Sequence, residues 1–141
     1  MNFEKYVNET NHFLEELASQ LGNADDTDLA FRVTRSVFHA LRKRIVPGES
    51  MNLVAQLPML LKAVYVDGWN INQEISKSKT FEDFLKDVRS MSNIQASDFA
   101  DDEVARTRIT AVFKALQEYV SDGELVDIIS ELPLEIAELV G

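Results

Sequence analysis

The chain has 141 residues and a formal charge of −10, from 24 acidic and 14 basic side chains. Apolar residues make up 45 %, enough for a buried core, while Gly and Pro are scarce at 5 and 3, which favours long regular elements. Cys is absent, which excludes disulfides, thiolate metal sites, Fe–S clusters and Cys nucleophiles and fits a reducing cytoplasm. No apolar run approaches the roughly 18 residues of a membrane span. The start, MNFEKYVNETNHFLEEL, lacks the basic head and apolar centre of a signal peptide, so the expected location is the cytoplasm.

The charge is uneven. Residues 1–70 carry 9 acids and 7 bases, whereas residues 71–141 carry 15 acids and 7 bases. Such a surface repels phosphate backbones and anionic headgroups, which argues against nucleic acid or membrane as partners. Gly-rich phosphate loops, nucleophile elbows and HExxH are missing, so the sequence supports neither an enzyme nor a cofactor.

Apolar residues from Phe3 to Leu21 recur mostly at helical spacing (Phe3, Tyr6, Val7, Phe13, Leu14, Leu17, Leu21), and Gly22-Asn23 stops that helix. Asp26-Thr27-Asp28 is an N-cap cluster for a helix running to about Val46, with Leu29, Val33, Val37, Ala40, Leu41 and Ile45 inside and Phe38 on its flank. Pro47-Gly48 is expected to end it. A short helix from Glu49 to Gln56 meets Leu57-Pro58, where proline removes a donor and forces its predecessor out of the helical region. Pro58 is then expected at the first position of the next helix, which Gly68 closes beside Trp69. Residues 70–79 read as a polar linker. Thr80 caps a helix with Phe84, Leu85 and Val88 inside. Asn93–Asp102 reads as loop and cap, Glu103–Val120 as a long helix, and Ser121-Asp122-Gly123 as a turn into a final helical pair carrying Ile128, Leu132, Pro133, Ile136 and Leu139.

A shift of 75 aligns the halves: Ala30 with Ala105, Val37-Phe38 with Val112-Phe113, Ala40-Leu41 with Ala115-Leu116, Gly48-Glu49 with Gly123-Glu124, and Leu57-Pro58 with Leu132-Pro133. The lead helices match at a shift of 78, Phe3 with Phe81 and Tyr6-Val7 with Phe84-Leu85. The expected fold is therefore all-α: a tandem repeat of a three-helix unit, its third segment broken at Leu-Pro, packed as one pseudo-twofold domain over residues 1–141. The halves cover about 1–70 and 80–141, joined by the linker 70–79.

The run Ala55-Gln56-Leu57-Pro58-Met59-Leu60, followed by Tyr65 and Gly68-Trp69, resembles the bacterial family called domain of unknown function 2267. Val112-Phe113, Leu116, Gly123-Glu124 and Leu132-Pro133 extend the resemblance over nearly all of the chain after the first helix. It implies a cytoplasmic helical protein with tandem halves and no established activity. The chain departs from the pattern at its end, where Val140-Gly141 stands in place of a terminal aromatic.

Candidate contact residues are few. Arg32, Arg35, His39 and Arg42, with Lys43 and Arg44 beside them, form the one basic concentration, and the second half carries Thr110, Lys114 and Gln117 opposite Arg35, His39 and Arg42. The stripe reads either as a dock for an acidic partner or as a solvated face paired with the chain's own acids. Tyr65 and Trp69 read as core or as the lining of a small pocket between the halves. His12 with Glu15 and Glu16 falls short of the about four ligands of a structural metal site. Glu131, Glu135 and Glu138 lie opposite the apolar stripe, as a wet surface does. The expected function is a non-enzymatic interaction or scaffold module, binding an unknown protein or a second copy of itself. The alternative is a small-ligand regulator.

Overall fold

A computed structural model describes residues 1–140, with side chains described through residue 138. The side chain of Leu139 and the end at Gly141, both subjects of sequence expectations, lie outside the described residues. Among the described residues the fold is all-helical.

Helix α1 (Phe3–Gln20) is capped by Asn2, whose Oδ1 accepts from the Lys5 amide at 3.1 Å. It ends before Gly22, which adopts a φ of +78°. Phe13, Leu14 and Leu17 are buried, but Phe3 and Val7 are 71 % and 46 % exposed, so the front of the expected stripe projects past the core. Helix α2 (Thr27–Leu41) starts where Asp26 accepts from the Leu29 amide at 3.0 Å. It stops short of the expected Val46. A tight turn follows, and Pro47 opens helix α3 (Pro47–Gln56) instead of closing α2. Val46 is forced into extended geometry by the proline after it, and Pro47 then occupies the first turn, where its missing N–H is harmless. Phe38, expected on the flank of α2, is wholly buried.

The Leu57-Pro58 break separates α3 from helix α4 (Met59–Val66). Leu57 is extended, at φ −77° and ψ 152°, while Pro58 is the N-cap rather than the first helical residue. Gly68, with φ +66°, closes α4. The linker is non-helical and returns to the α2–α3 corner, where the Ser76 amide donates to Lys43 O at 2.8 Å.

Helix α5 (Phe81–Arg89) is capped by Thr80. The expected loop after it contains a 3-10 turn, Ala96–Phe99. Helix α6 (Asp102–Leu116), capped by Asp101, ends before the expected Val120. Helix α7 (Asp122–Ile129) is capped by Ser121 and takes in Asp122 and Gly123, which the sequence reading assigned to a turn. Leu132-Pro133 then leads into helix α8 (Leu134–Val140). Each Leu-Pro step thus separates two helices, as the missing proline donor leads one to expect.

One apolar cluster draws on both halves. Helix α2 packs on α1, α4, α5 and α6, and α6 packs on α1, α2 and α8. Helix α3 meets α4 and α7. Leu57 is in this cluster, 4 % exposed. Leu57→Ala is expected to lower unfolding stability by about 3 kcal/mol, the range for deleting a buried leucine side chain. Pro58→Ala, which alters a local turn, should lower it by less than half of that. Denaturant titration of both variants checks the order.

Candidate functional site

The basic stripe lies along α2 and is engaged inside the fold. His39 and Arg42 reach the C-terminal end of α4. His39 Nε2 lies 2.8 Å from Val64 O, and Arg42 Nη1 donates to Tyr65 O at 2.6 Å and Asp67 O at 2.8 Å. The last carbonyls of a helix have no partner within it, and their partial negative charge favours donors and cations. Because Val64 O can only accept, the bonded His39 nitrogen carries the hydrogen. His39 is buried, and that burial lowers its pKa, aided by the nearby Arg42 and Arg35 charges and partly offset by the Val64 bond. The fold therefore favours the neutral ring.

Arg32 is fixed on Asp98. Its Nε and Nη2 donate to the two carboxylate oxygens at 2.9 and 3.2 Å. Asp98 comes from the 3-10 turn, is completely buried, and also accepts from the Gln95 amide at 2.9 Å. The same turn is held by Arg108, which donates to Asp98 O, and by Arg89, which donates to Phe99 O. Arg35 is half-buried and donates to Ser92 O at 2.9 Å. Arg44 is buried, bonded to Asp87 and stacked 5.0 Å over the Phe84 ring. As a group these cations bond to the chain's own acids and carbonyls, and His39 and Arg44 are buried rather than solvated.

Tyr65 is wholly buried and bonds through its hydroxyl to Ser50 Oγ at 2.6 Å, so it offers no surface to a ligand. Burial is the main cause that raises its pKa. Trp69 is half-buried and meets the Tyr65 ring edge-on, with centroids 5.9 Å apart. The pair closes the end of α4 over the core. His12 sits 3.2 Å from Glu16 and 3.7 Å from Glu118, all exposed. Glu131, Glu135 and Glu138 are exposed as expected.

The sequence reading passed over a second constellation. Glu49 and Glu124 meet where α3 packs on α7, and their carboxyl oxygens, with one from Asp127, lie within 4.8 Å of one another. Glu49 and Glu124 are half-buried. In each, Oε1 is sealed from solvent and has no hydrogen-bond partner among the described residues. Burial first, then the neighbouring Glu49 carboxyl, then the Asp127 charge push Glu124 up to about 7. Beside the pair opens a cleft of about 500 Å³ with Arg44, Ser76, Lys77, Asp127 and Glu131 among its lining residues. The signal was present in the sequence: Gly48-Glu49 and Gly123-Glu124 match, as do the N-cap acids Asp26 and Asp101, in a repeat whose matched positions are mostly apolar or turn-forming.

Replacing Arg32 with Met leaves the Asp98 carboxylate buried without its counter-charge, and should destabilise the protein by about 3 kcal/mol. Arg35→Met, at a half-exposed site, should change stability by less than about 1 kcal/mol. Chemical denaturation of the two variants separates them. For His39, a depressed pKa means stability is complete above 6.5 and is lost as pH falls below that value, because the unfolded chain takes a proton that the fold refuses. Melting curves from pH 7.5 down to 5 should fall less steeply for His39→Gln than for the wild type.

No curated protein matches the chain. The family model described as "Uncharacterized conserved protein (DUF2267)" matches residues 10–139. The specific run Gln56–Leu60, Tyr65 and Gly68-Trp69 lies within that span, as do both Leu-Pro breaks and the α3–α7 seam. The chain belongs to the DUF2267 family.

Proposed function

We propose that this protein is a non-enzymatic interaction module built from two copies of one helical unit related by a pseudo-twofold axis. The helix positions support the repeat. Helices α2 and α6 begin at Thr27 and Asp102, α3 and α7 at Pro47 and Asp122, and α4 and α8 at Met59 and Leu134, each pair 75 positions apart. The packing supports the symmetry. Exchanging the halves turns α1–α6 into α5–α2, α1–α4 into α5–α8 and α2–α4 into α6–α8, and leaves α2–α6 and α3–α7 unchanged. The α1–α2 contact has no counterpart of equal extent, because the 3-10 turn stands between α5 and α6.

The observation that carries the functional reading is a repeated exposure. Met51 and Val126 occupy matched positions and are 47 % and 66 % exposed; Met59 and Leu134 match likewise at 38 % and 65 %. Leu60, also exposed, extends the first patch. Apolar residues held at the surface in both copies are what a pair of equivalent contact faces requires. The acidic surroundings suit a protein partner with an apolar contact and a basic rim, and disfavour nucleic acid or an anionic membrane. The absence of Cys accords with a cytoplasmic setting. A small-ligand regulator is the second reading. Its support is the cleft beside Glu49, which moves the candidate pocket away from Tyr65 and Trp69.

Site-specific photo-crosslinking in the native host tests the leading reading. A photoreactive residue at position 59 and one at position 134 should capture the same protein, and one at the exposed Glu82 should not. Capture no stronger from the two patches than from position 82 overturns the proposal.

A further inference from the structure

The α3–α7 contact brings together two acids that both copies of the repeat hold at the same place. Glu49 and Glu124 each lie in the first turn of their helix, and their carboxyl oxygens approach within 4.8 Å with Asp127 beside them. Two carboxylates so close and so shielded do not both ionise without strong repulsion. Each also has one oxygen that touches neither solvent nor a donor. A proton held by the pair needs no room. It gives one carboxyl a donor and removes one of the two charges. The helix N-termini act the other way, favouring negative charge, and so keep the second carboxylate ionised.

We infer that Glu49 and Glu124 form a single-proton clasp across the seam between the halves, and that losing this proton as pH rises loosens α3 from α7 beside the cleft. The surrounding groups sharpen the response. Asp127, from α7, adds repulsion. Glu131 follows α7 and is 3.8 Å from Lys79 of the linker, which keeps that lysine off the pair. Lys77, also from the linker, lines the same cleft, and Arg44 from the α2–α3 corner is held by Asp87. The N-cap of α7 is tied to the far end of α3 by a bond without a titrating group, the Ser121 amide to Gln56 Oε1 at 2.8 Å. Loosening is therefore a local opening at the clasp rather than separation of the halves.

The sign follows from linkage. A carboxyl whose pKa is raised by folding, from 4.5 to about 7, contributes stability that is complete below 4.5 and is lost as pH rises through 7. His39 acts oppositely below 6.5, so the clasp is read from differences between the wild type and variants rather than from one curve.

The test uses the full chain, Glu124→Gln, Glu49→Gln and the surface control Glu15→Gln. A glutamine amide donates to the remaining carboxylate and mimics the protonated pair at every pH. At pH 8, amide exchange in α3 and α7, normalised for intrinsic chemistry, should be at least about tenfold faster in the wild type and the control than in either clasp variant, tenfold corresponding to one unit of pKa shift. At pH 5 all four proteins should exchange alike. Carbon-13 titration of the wild-type carboxyls should show one glutamate ionising near neutrality. Equal exchange in wild type and clasp variants at pH 8 overturns the inference, as does titration of Glu49 and Glu124 together in the ordinary carboxylate range. The two clasp variants remove opposite partners, so failure of one to fold leaves the other to decide.

Discussion

Helix α2 is buried on most of its faces, and the rest of the structure depends on how its polar groups are satisfied. Ten of its 15 residues are buried, including Thr34, Ser36 and His39. Thr34 turns its hydroxyl back to Ala30 O at 2.8 Å, while His39 looks outward to the end of α4. That second bond, with the Arg42 bonds beside it, settles two problems together. It satisfies a buried imidazole, and it supplies donors to carbonyls that α4 has no way of satisfying itself. Helix α4 is only 8 residues long, too short to be stable alone, and its position is set by this contact and by Tyr65 beneath it.

The same logic explains how so acidic a chain holds its cations. Arg32, Arg89 and Arg108 converge on the 3-10 turn, and Arg44 bridges the α2–α3 corner to α5. A guanidinium's several donors let it satisfy carbonyls and a carboxylate at once, which an ammonium does less well. The basic residues thus act as internal connectors between segments of the fold. The negative surface is what remains once those cations are drawn inward, and it gives any contact face an acidic border.

Against that economy the α3–α7 seam stands apart. Among the described residues Ser36 Oγ, Arg44 Nε and Thr110 Oγ1 also lack partners, but at the seam two such oxygens belong to facing carboxyls, those of Glu49 and Glu124. Local conflict inside an otherwise consistent fold marks places kept for something other than stability. Both copies of the repeat carry the acid, and the cleft lies beside it.

The sequence alone carries the all-helical class, the family, the places of both Leu-Pro breaks and the caps at Asp26 and Thr80. These follow from short-range rules: apolar spacing, the missing proline donor, and side chains that reach an amide three residues on. It misplaced the ends of α2 and α6, because the tight turns after Leu41 and Leu116 keep near-helical backbone and carry apolar residues such as Ile45 and Val120 into the core. It found the basic stripe but not its use, since the acceptors are carbonyls of α4 and a carboxylate 66 positions away, and no local pattern encodes them. Only the tertiary structure decided that Tyr65 is sealed in the core and that Glu49 meets Glu124. Whether a polar residue is a free surface group or a buried partner depends on what packs over it, and that is a property of distant segments brought together rather than of neighbours in sequence.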